Sequence, residues 1–327
     1  MNIALIGTGG MGSNHVEAYQ YCKDITVLAV ADVDFESARK YSKKLNCNAY
    51  CSLDEVLENE RPDAVDICVP SFLHAEYSLK CLKRGIHVFC EKPMAHSVED
   101  ADRMLEAARK SGAKLMVGQV LRYWPEYQFL KRCIDNKPYG TLRYLSLTRQ
   151  YGMHPKGSWY MNPELCKMVC YEMHIHDTDM VNYLFGLPDA LHSIGCEQPD
   201  IHMSYINTHY IYNGADFAVV AQGGWNDSSL PWAGGYLAAF EHGTVAYKDG
   251  VVTCYPAEEK PFPAKLETLE GVPSEIVGVY QELTEFVDLV AGRVEMTGVT
   301  PKSARDTIYL VGMECQSLMS ASVMALK

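Results

Sequence analysis

Gly7-Thr8-Gly9-Gly10-Met11-Gly12 constrains this chain more than any other stretch, because of what stands on either side of it. The apolar run Ile3-Ala4-Leu5-Ile6 before it reads as a short buried strand, and Ser13 to Gln20 after it can continue as a helix. A second apolar run, Val27 to Val30, then closes on Asp32. Strand, glycines, helix, strand and acid in that order describe a dinucleotide-binding unit. The first glycine makes the tight turn, the second lets the backbone approach a pyrophosphate, and the third lets helix and strand pack closely. The helix N-terminus offers unpaired N–H groups to phosphate. Asp32 is placed to bond both hydroxyls of an adenosine ribose. A carboxylate there repels a 2′-phosphate and no arginine follows it, so NAD is expected rather than NADP. The expected cofactor contacts in this stretch are Gly7, Gly9, Gly10, Met11, Gly12 and Asp32.

The chain has 327 residues, enough for two domains. Up to about residue 120, apolar strands (2–6, 25–31, 64–69, 86–90, 114–118) alternate with helical stretches (12–21, 34–45, 52–59, 73–84, 97–111). That rhythm predicts a doubly wound parallel sheet. Beyond residue 123 it breaks. Strand-like segments follow one another (141–150, 190–198, 203–212, 215–224, 234–240, 243–248, 250–255), interrupted by one helix near 172–185 and followed by two near 273–292 and 301–325. The expected fold class is α/β: a doubly wound domain over 1–122, then an α+β domain over 123–327 with an open, mostly antiparallel sheet. An open sheet face of that size calls for a symmetric partner, so a homo-oligomer is expected.

Lys and Arg number 29 against 41 Asp and Glu, a net charge of −12 with no basic block, so nucleic acid and anionic membrane are not expected partners. No apolar run is long enough to cross a bilayer, and the N-terminus runs straight into a strand. The 12 cysteines are scattered without a C-x-x-C, and several sit in apolar runs (Cys68, Cys90). They read as reduced thiols of a cytoplasmic protein.

Ligands on doubly wound sheets bind beyond the carboxyl ends of the strands. Besides the glycine loop, two other loops leave such ends: Pro70-Ser71-Phe72-Leu73-His74 and Glu91-Lys92-Pro93. Lys92 stands two residues past a buried strand, and Pro93 restricts its backbone. A lysine held there beside a positively charged nicotinamide suits proton movement. A second titratable cluster is Glu172-Met-His174-Ile-His176-Asp177-Thr178-Asp179. On a regular helix Glu172 and His176 share a face at i, i+4, with Asp179 a neighbour of His176, which fits a general acid/base oriented by a carboxylate. Cys166, Cys170, His174 and His176 supply soft ligands on paper. Their spacing matches neither C-x2-C nor H-E-x-x-H, so no metal is expected.

Together these motifs resemble the Gfo/Idh/MocA oxidoreductases: the glycine fingerprint with His15 behind it, Pro70-x-x-x-His74, Glu91-Lys92-Pro93, Arg122-Tyr-Trp-Pro125 and His176-x-x-Asp179. The resemblance implies a Rossmann domain followed by an open-sheet domain that forms homodimers or homotetramers. It assigns Lys92 as the catalytic lysine, Glu91 as its preceding acid, and His176 as the histidine exchanging a proton with the reacting hydroxyl. It adds Pro70, His74, Glu91 and Lys92 to the cofactor contacts. Glu172 stands where the family usually has Asp, one methylene longer, and Asp179 matches the acid after the histidine. The implied activity is hydride transfer between NAD and a secondary alcohol of a sugar, cyclitol or related polyol. The alternative is a redox-neutral NAD-dependent glycosidase or lyase working through a transient keto-sugar. A non-catalytic sensor would lack Lys92 or His176, and both are present. Where the family commonly has a glycine-rich turn, this chain reads Cys166-Lys167-Met168, and His174 replaces a usual glycine. His174 and Lys167, with Lys156 and His154, are therefore expected to read an acidic or bulky substrate group. Tyr151 and Trp159, with Tyr160 and Trp225, are candidate walls for a sugar ring.

Overall fold

The structure, a computed structural model, describes residues 1–152, 158–162, 164–167, 169–198, 203–226, 228–295 and 298–326. It divides into two compact units.

The first unit is built on a parallel sheet of β1 (Asn2–Ile6), β2 (Thr26–Ala31), β3 (Asn48–Tyr50), β4 (Ala64–Ile67), β5 (His87–Glu91) and β6 (Leu115–Gly118), in the order β3-β2-β1-β4-β5-β6. The helices between them are α1 (Gly10–Tyr19), α2 (Phe35–Leu45), α3 (Leu53–Asn59), α4 (His74–Leu82) and α5 (Val98–Ser111). Helices that shield both faces of a parallel sheet leave its strands without a wet side, and β4 and β6 are buried at every position. Helix starts follow the sequence: the Asp34 carboxylate accepts from the Glu36 and Ser37 N–H groups, and the Ser52 and Ser97 hydroxyls accept from Glu55 and Asp100. The expected doubly wound domain is thus observed, with β3 as a short edge strand the sequence pattern did not mark. Strand order reverses between β1 and β4, the place where such sheets bind dinucleotides.

The second unit begins with α6 (Pro125–Asn136), then β7 (Leu142–Gly152), α7 (Ile175–Phe185), β8 (Ala190–Gln198), β9 (Met203–Ile211), β10 (Ala218–Asn226), β11 (Ala233–Phe240), β12 (Gly243–Lys248), β13 (Val251–Pro256) and β14 (Phe262–Pro263). With β15 (Met324–Ala325) they form a mixed sheet in the order β14-β13-β12-β11-β7-β10-β9-β8-β15, in which β7 and β10 are the parallel pair. One face is covered, with Leu145, Leu147, Val219 and Ala221 buried on it. The other carries the exposed Tyr144, Ile194, Ile211, Leu237, Val251 and Tyr255. The sequence pattern missed α6 because its apolar stripe is short: Tyr127, Leu130 and Cys133 are its buried side chains. Pro125 at its first turn is the local start signal.

The domain expectation needs one correction. The first break falls at Tyr123/Trp124, but Thr268–Ile308 clusters with the first unit, so 123–327 is not one continuous domain. The cause is α8 (Val277–Val290), whose Val279, Leu283, Phe286 and Val287 recur at helical spacing and are buried. The Phe286 ring meets Phe89 of β5 edge-on, with centroids 5.6 Å apart. The last helix, α9 (Pro301–Ser320), ends five residues short of the expected 301–325. Among the described residues no helix is long and apolar enough to cross a membrane.

A buried ion pair ties α7 to the second sheet. Arg149 of β7 is wholly buried, and its Nε and Nη2 donate to Asp177 Oδ2 and Oδ1 at 3.0 and 2.9 Å. Nη2 also donates to the Tyr127 hydroxyl at 2.8 Å, and the guanidinium lies over the Trp232 ring. Gly234 leaves room for Nη1, which a Cβ would meet at 2.8 Å. Removing one partner of such a pair strands the other charge in the interior. Arg149→Ala should therefore lower the unfolding free energy by about 3–5 kcal/mol in chemical denaturation.

Candidate active site

The glycine loop is built as its spacing predicts. A Cβ on Gly7 (φ +96°) would lie 2.5 Å from the Cys68 carbonyl oxygen, and one on Gly12 would lie 2.1 Å from the Gly7 oxygen. Gly9 and Gly10 face open space. Helix α1 starts there with Gly9 as N-cap, no side-chain cap and no acid in its first turn. Its first N–H groups therefore face outward without a competing carboxylate, which fits a pyrophosphate. Met11, next along, is half-buried. Asp32, at the end of β2, is held in one orientation. Its Oδ2 accepts from the Thr8 N–H and hydroxyl, each at 2.7 Å, and its Oδ1 from the Asp34 N–H at 2.9 Å.

The other two loops are joined by His74. This buried imidazole lies between two carbonyl oxygens, Val69 on one side and Pro93 on the other, each 2.8 Å from a ring nitrogen. Pro70 opens the turn that leads to it, its carbonyl accepting from the Leu73 N–H. His74 is thus placed as a strut between loops. Lys92 is half-buried, the Lys92–Pro93 peptide is cis, and the Lys92 N–H donates to Glu91 Oε2 at 3.1 Å. Glu91 itself is buried.

In the second unit the regular helix expected over 172–185 is replaced at its start by a π-helical turn, Cys170–His174, which runs into α7. The wider turn changes the i, i+4 alignment expected for Glu172 and His176; such insertions are frequent at functional sites. Glu172 and Asp179 are buried and His176 is half-buried. His174 lies in the same π turn. It is wholly buried, packed where a Cβ on Gly223 would come within 2.9 Å of its Nδ1, with Nε2 3.6 Å from Glu314 Oε1. The absent side chain of Gly223 leaves the imidazole its room in the second unit.

Lys167 is exposed, while His154, Lys156 and Met168 lie outside the described residues. Tyr151, Trp159, Tyr160 and Trp225 are half-buried; the Trp159 and Tyr160 rings stack at 3.9 Å and Tyr160 meets Trp225 edge-on at 6.1 Å. Among the described residues, Cys166, Cys170, His174 and His176 do not converge as ligands. The groupings that do form are His15 with Asp66 and Cys68, and His15 with Glu91 and Glu282. Sequence reasoning missed Arg149, although a signal existed: Leu145, Leu147 and Arg149 alternate on the buried face, so the arginine occupies a core position.

Residues 1–119 match a family described as oxidoreductases with an NAD-binding Rossmann fold, and residues 127–216 match the Gfo/Idh/MocA C-terminal domain. The chain is 31% identical over 187 residues to a myo-inositol 2-dehydrogenase of Thermotoga maritima, covering 57% of this chain and 55% of that one. It is 29% identical over 195 residues to a 2,7-anhydro-N-acetylneuraminate hydratase of Mediterraneibacter gnavus, covering 59% and 51%. The chain thus spans about half the length of the curated relatives it matches. An aldose-aldose oxidoreductase from Caulobacter crescentus shares the fold over 100% of this chain and 99% of that one, with a TM-score of 0.87 at 17% identity. With a fingerprint loop shaped for a pyrophosphate and both domains matched in order, the chain belongs to the Gfo/Idh/MocA oxidoreductase family, and its N-terminal domain is an NAD-binding Rossmann domain.

Proposed function

We propose that this protein is an NAD-dependent dehydrogenase acting on a secondary alcohol of a sugar, cyclitol or related polyol. The observation that carries the reading is Lys92. It stands past the carboxyl end of β5, its N–H held by Glu91 and its loop by His74, beside the reversal of a sheet that binds NAD. When bound, the nicotinamide supplies a hydride acceptor. In this reading His176 takes the hydroxyl proton and the Lys92 ammonium stabilises the charge growing on the oxygen. Glu172 holds the hydroxyl and the imidazole in one orientation. Tyr151 and Trp159 offer ring faces to the substrate, and Lys167 an exposed cation. Asp32, already oriented by Thr8 and Asp34, bonds the ribose hydroxyls. The neighbouring Val33 is 92% exposed and offers no cation to a 2′-phosphate, so NAD is favoured over NADP.

Similarity to a protein named as a hydratase supports a second reading. In it a transient ketone acidifies a neighbouring C–H, and a bond then breaks by elimination without net reduction of NAD. The exposed apolar face of the second sheet supports assembly as a homodimer or homotetramer. The 12 cysteines are free thiols, which supports a reducing, cytoplasmic setting.

Absorbance at 340 nm with NAD and a panel of sugars, inositols, uronates and aryl glycosides separates the two readings. NADH accumulating with one polyol class is the expected result; glycone release without NADH would replace it with the redox-neutral reaction. Lys92→Ala should lower kcat about a thousandfold or more while NAD affinity stays within about threefold, since only transition-state charge is lost. Asp32→Ala should narrow the ratio of kcat/KM for NAD over NADP, measured with the same polyol. Leu237→Arg, a charge on the open face, should shift the species seen by light scattering toward monomer.

A further inference from the structure

Behind the Lys92 loop lies a set of buried ionisable side chains, of which the dehydrogenase reading uses only Glu91. His15 of α1, Asp66 of β4, Glu91 of β5 and Glu282 of α8 are each 3% exposed or less. His15 Nδ1 lies 2.7 Å from Asp66 Oδ2, which also accepts from the Tyr19 hydroxyl, and His15 Nε2 lies 3.2 Å from Glu91 Oε1. The other Glu91 oxygen accepts the Lys92 N–H. The space for Glu91 is built in: a Cβ on Gly118 of β6 would lie 2.6 Å from its Oε1. Among the described residues neither oxygen of Glu282 has a hydrogen-bond partner, yet one lies within 4.8 Å of both a His15 nitrogen and a Glu91 oxygen.

Three carboxyl groups around one imidazole cannot all carry charge in an apolar interior. Burial acts first on Glu282 and lifts its carboxyl well above the usual range; Glu91, Asp66 and Glu285 push the same way and His15 opposes them. For His15 burial works against the cation, but Asp66 and Cys68 outweigh it and hold the imidazole well above its ordinary value. The Tyr19 hydroxyl and Cys68 thiol, both raised by burial, stay neutral. A metal ion is not needed to account for the cluster. Each His15 nitrogen already stands at hydrogen-bond distance from a carboxylate, so both sides of the ring are satisfied by the protein itself.

We propose that His15 and Glu282 are positioning residues for Lys92. His15, as a cation, bridges Asp66 to Glu91, and Glu282, as a neutral carboxyl, closes the space behind Glu91, so that the outward Glu91 oxygen keeps the Lys92 backbone in one place. The helix that opens at the dinucleotide loop and the loop bearing the lysine are thereby locked through a single carboxylate. The inference rests on the dehydrogenase reading for what Lys92 does, but not for where it is held.

Wild type, Glu282→Gln and Glu282→Ala decide it. A raised carboxyl keeps its proton longer in the native than in the unfolded chain. Its stabilisation is therefore complete at acid pH and lost as pH climbs from the ordinary carboxyl range towards the native pKa. Glutamine has no proton to lose. The Tm of Glu282→Gln minus that of wild type should therefore grow as pH rises above about 5. Turnover of Glu282→Gln should stay within about twofold of wild type with the same pH profile. Glu282→Ala, which leaves Glu91 unsupported, should lose about tenfold in kcat with NAD KM within about threefold. Acylation of Lys92, followed by peptide mass spectrometry, needs no substrate and should change rate in Glu282→Ala but not in Glu282→Gln. A flat Tm difference, wild-type kcat and labelling in Glu282→Ala, or equal damage in both variants would overturn the proposal. Wild type forming no NADH with any polyol would instead sink the dehydrogenase reading, leaving the Tm and labelling results to decide this one.

Discussion

The contact on which the first unit depends is the approach of Gly12 to the Gly7 carbonyl, close enough that a Cβ at residue 12 would stand 2.1 Å from that oxygen. Without a side chain there, α1 lies close against β1 and β4. That closeness lets His15 and Tyr19, on the inner side of α1, reach Asp66 in the middle of β4. His15 then reaches Glu91, and Glu91 the backbone of Lys92. The glycine that lets helix and strand pack thus also sets the distance over which a buried polar chain reaches the lysine loop. The chain is expensive to bury, and its members are satisfied in sequence along it, as interiors require.

The second unit uses the same device with different residues. Asp177 is fixed by Arg149, and at the next residue the Thr178 hydroxyl meets Glu314, which also accepts from the Tyr210 hydroxyl. Both contacts hold α7 through its first turn, immediately after the π-helical segment bearing Glu172. Buried pairs of this kind add little net stability against an apolar alternative, but breaking one is costly. Their effect is to fix the helix in one register against the sheet. His176, one residue into that helix, is carried on an element whose first turn is held in this way.

Much of this was legible along the chain. Apolar runs of four to six residues, the helix starts at Asp34, Ser52 and Ser97, and the glycine spacing placed five strands of the parallel sheet and its five helices to within a few residues. Alternation placed β7 to β13 of the second sheet in the same way, but not β14 and β15, which are two residues each. Helix α6 was not legible, because three buried side chains in a polar stretch leave a weak period. The π turn was not legible either, since no residue pattern distinguishes it from the α-helix it interrupts. The burial of His174 was not legible, because only the fold shows that Gly223 leaves its imidazole room in the interior.

By itself the sequence determined which segments become strands and helices, the dinucleotide loop, and the identities of Lys92, Glu172 and His176 as candidates. Those properties are local: they depend on periods, caps and glycine positions within about twenty residues. Tertiary structure alone decided that α8 returns to the first unit, that Arg149 and Asp177 neutralise each other, and that four ionisable groups far apart in sequence share one buried space. Such pairings depend on burial and on distances across the fold. A charged residue in the sequence carries no record of whether water or another charge will face it.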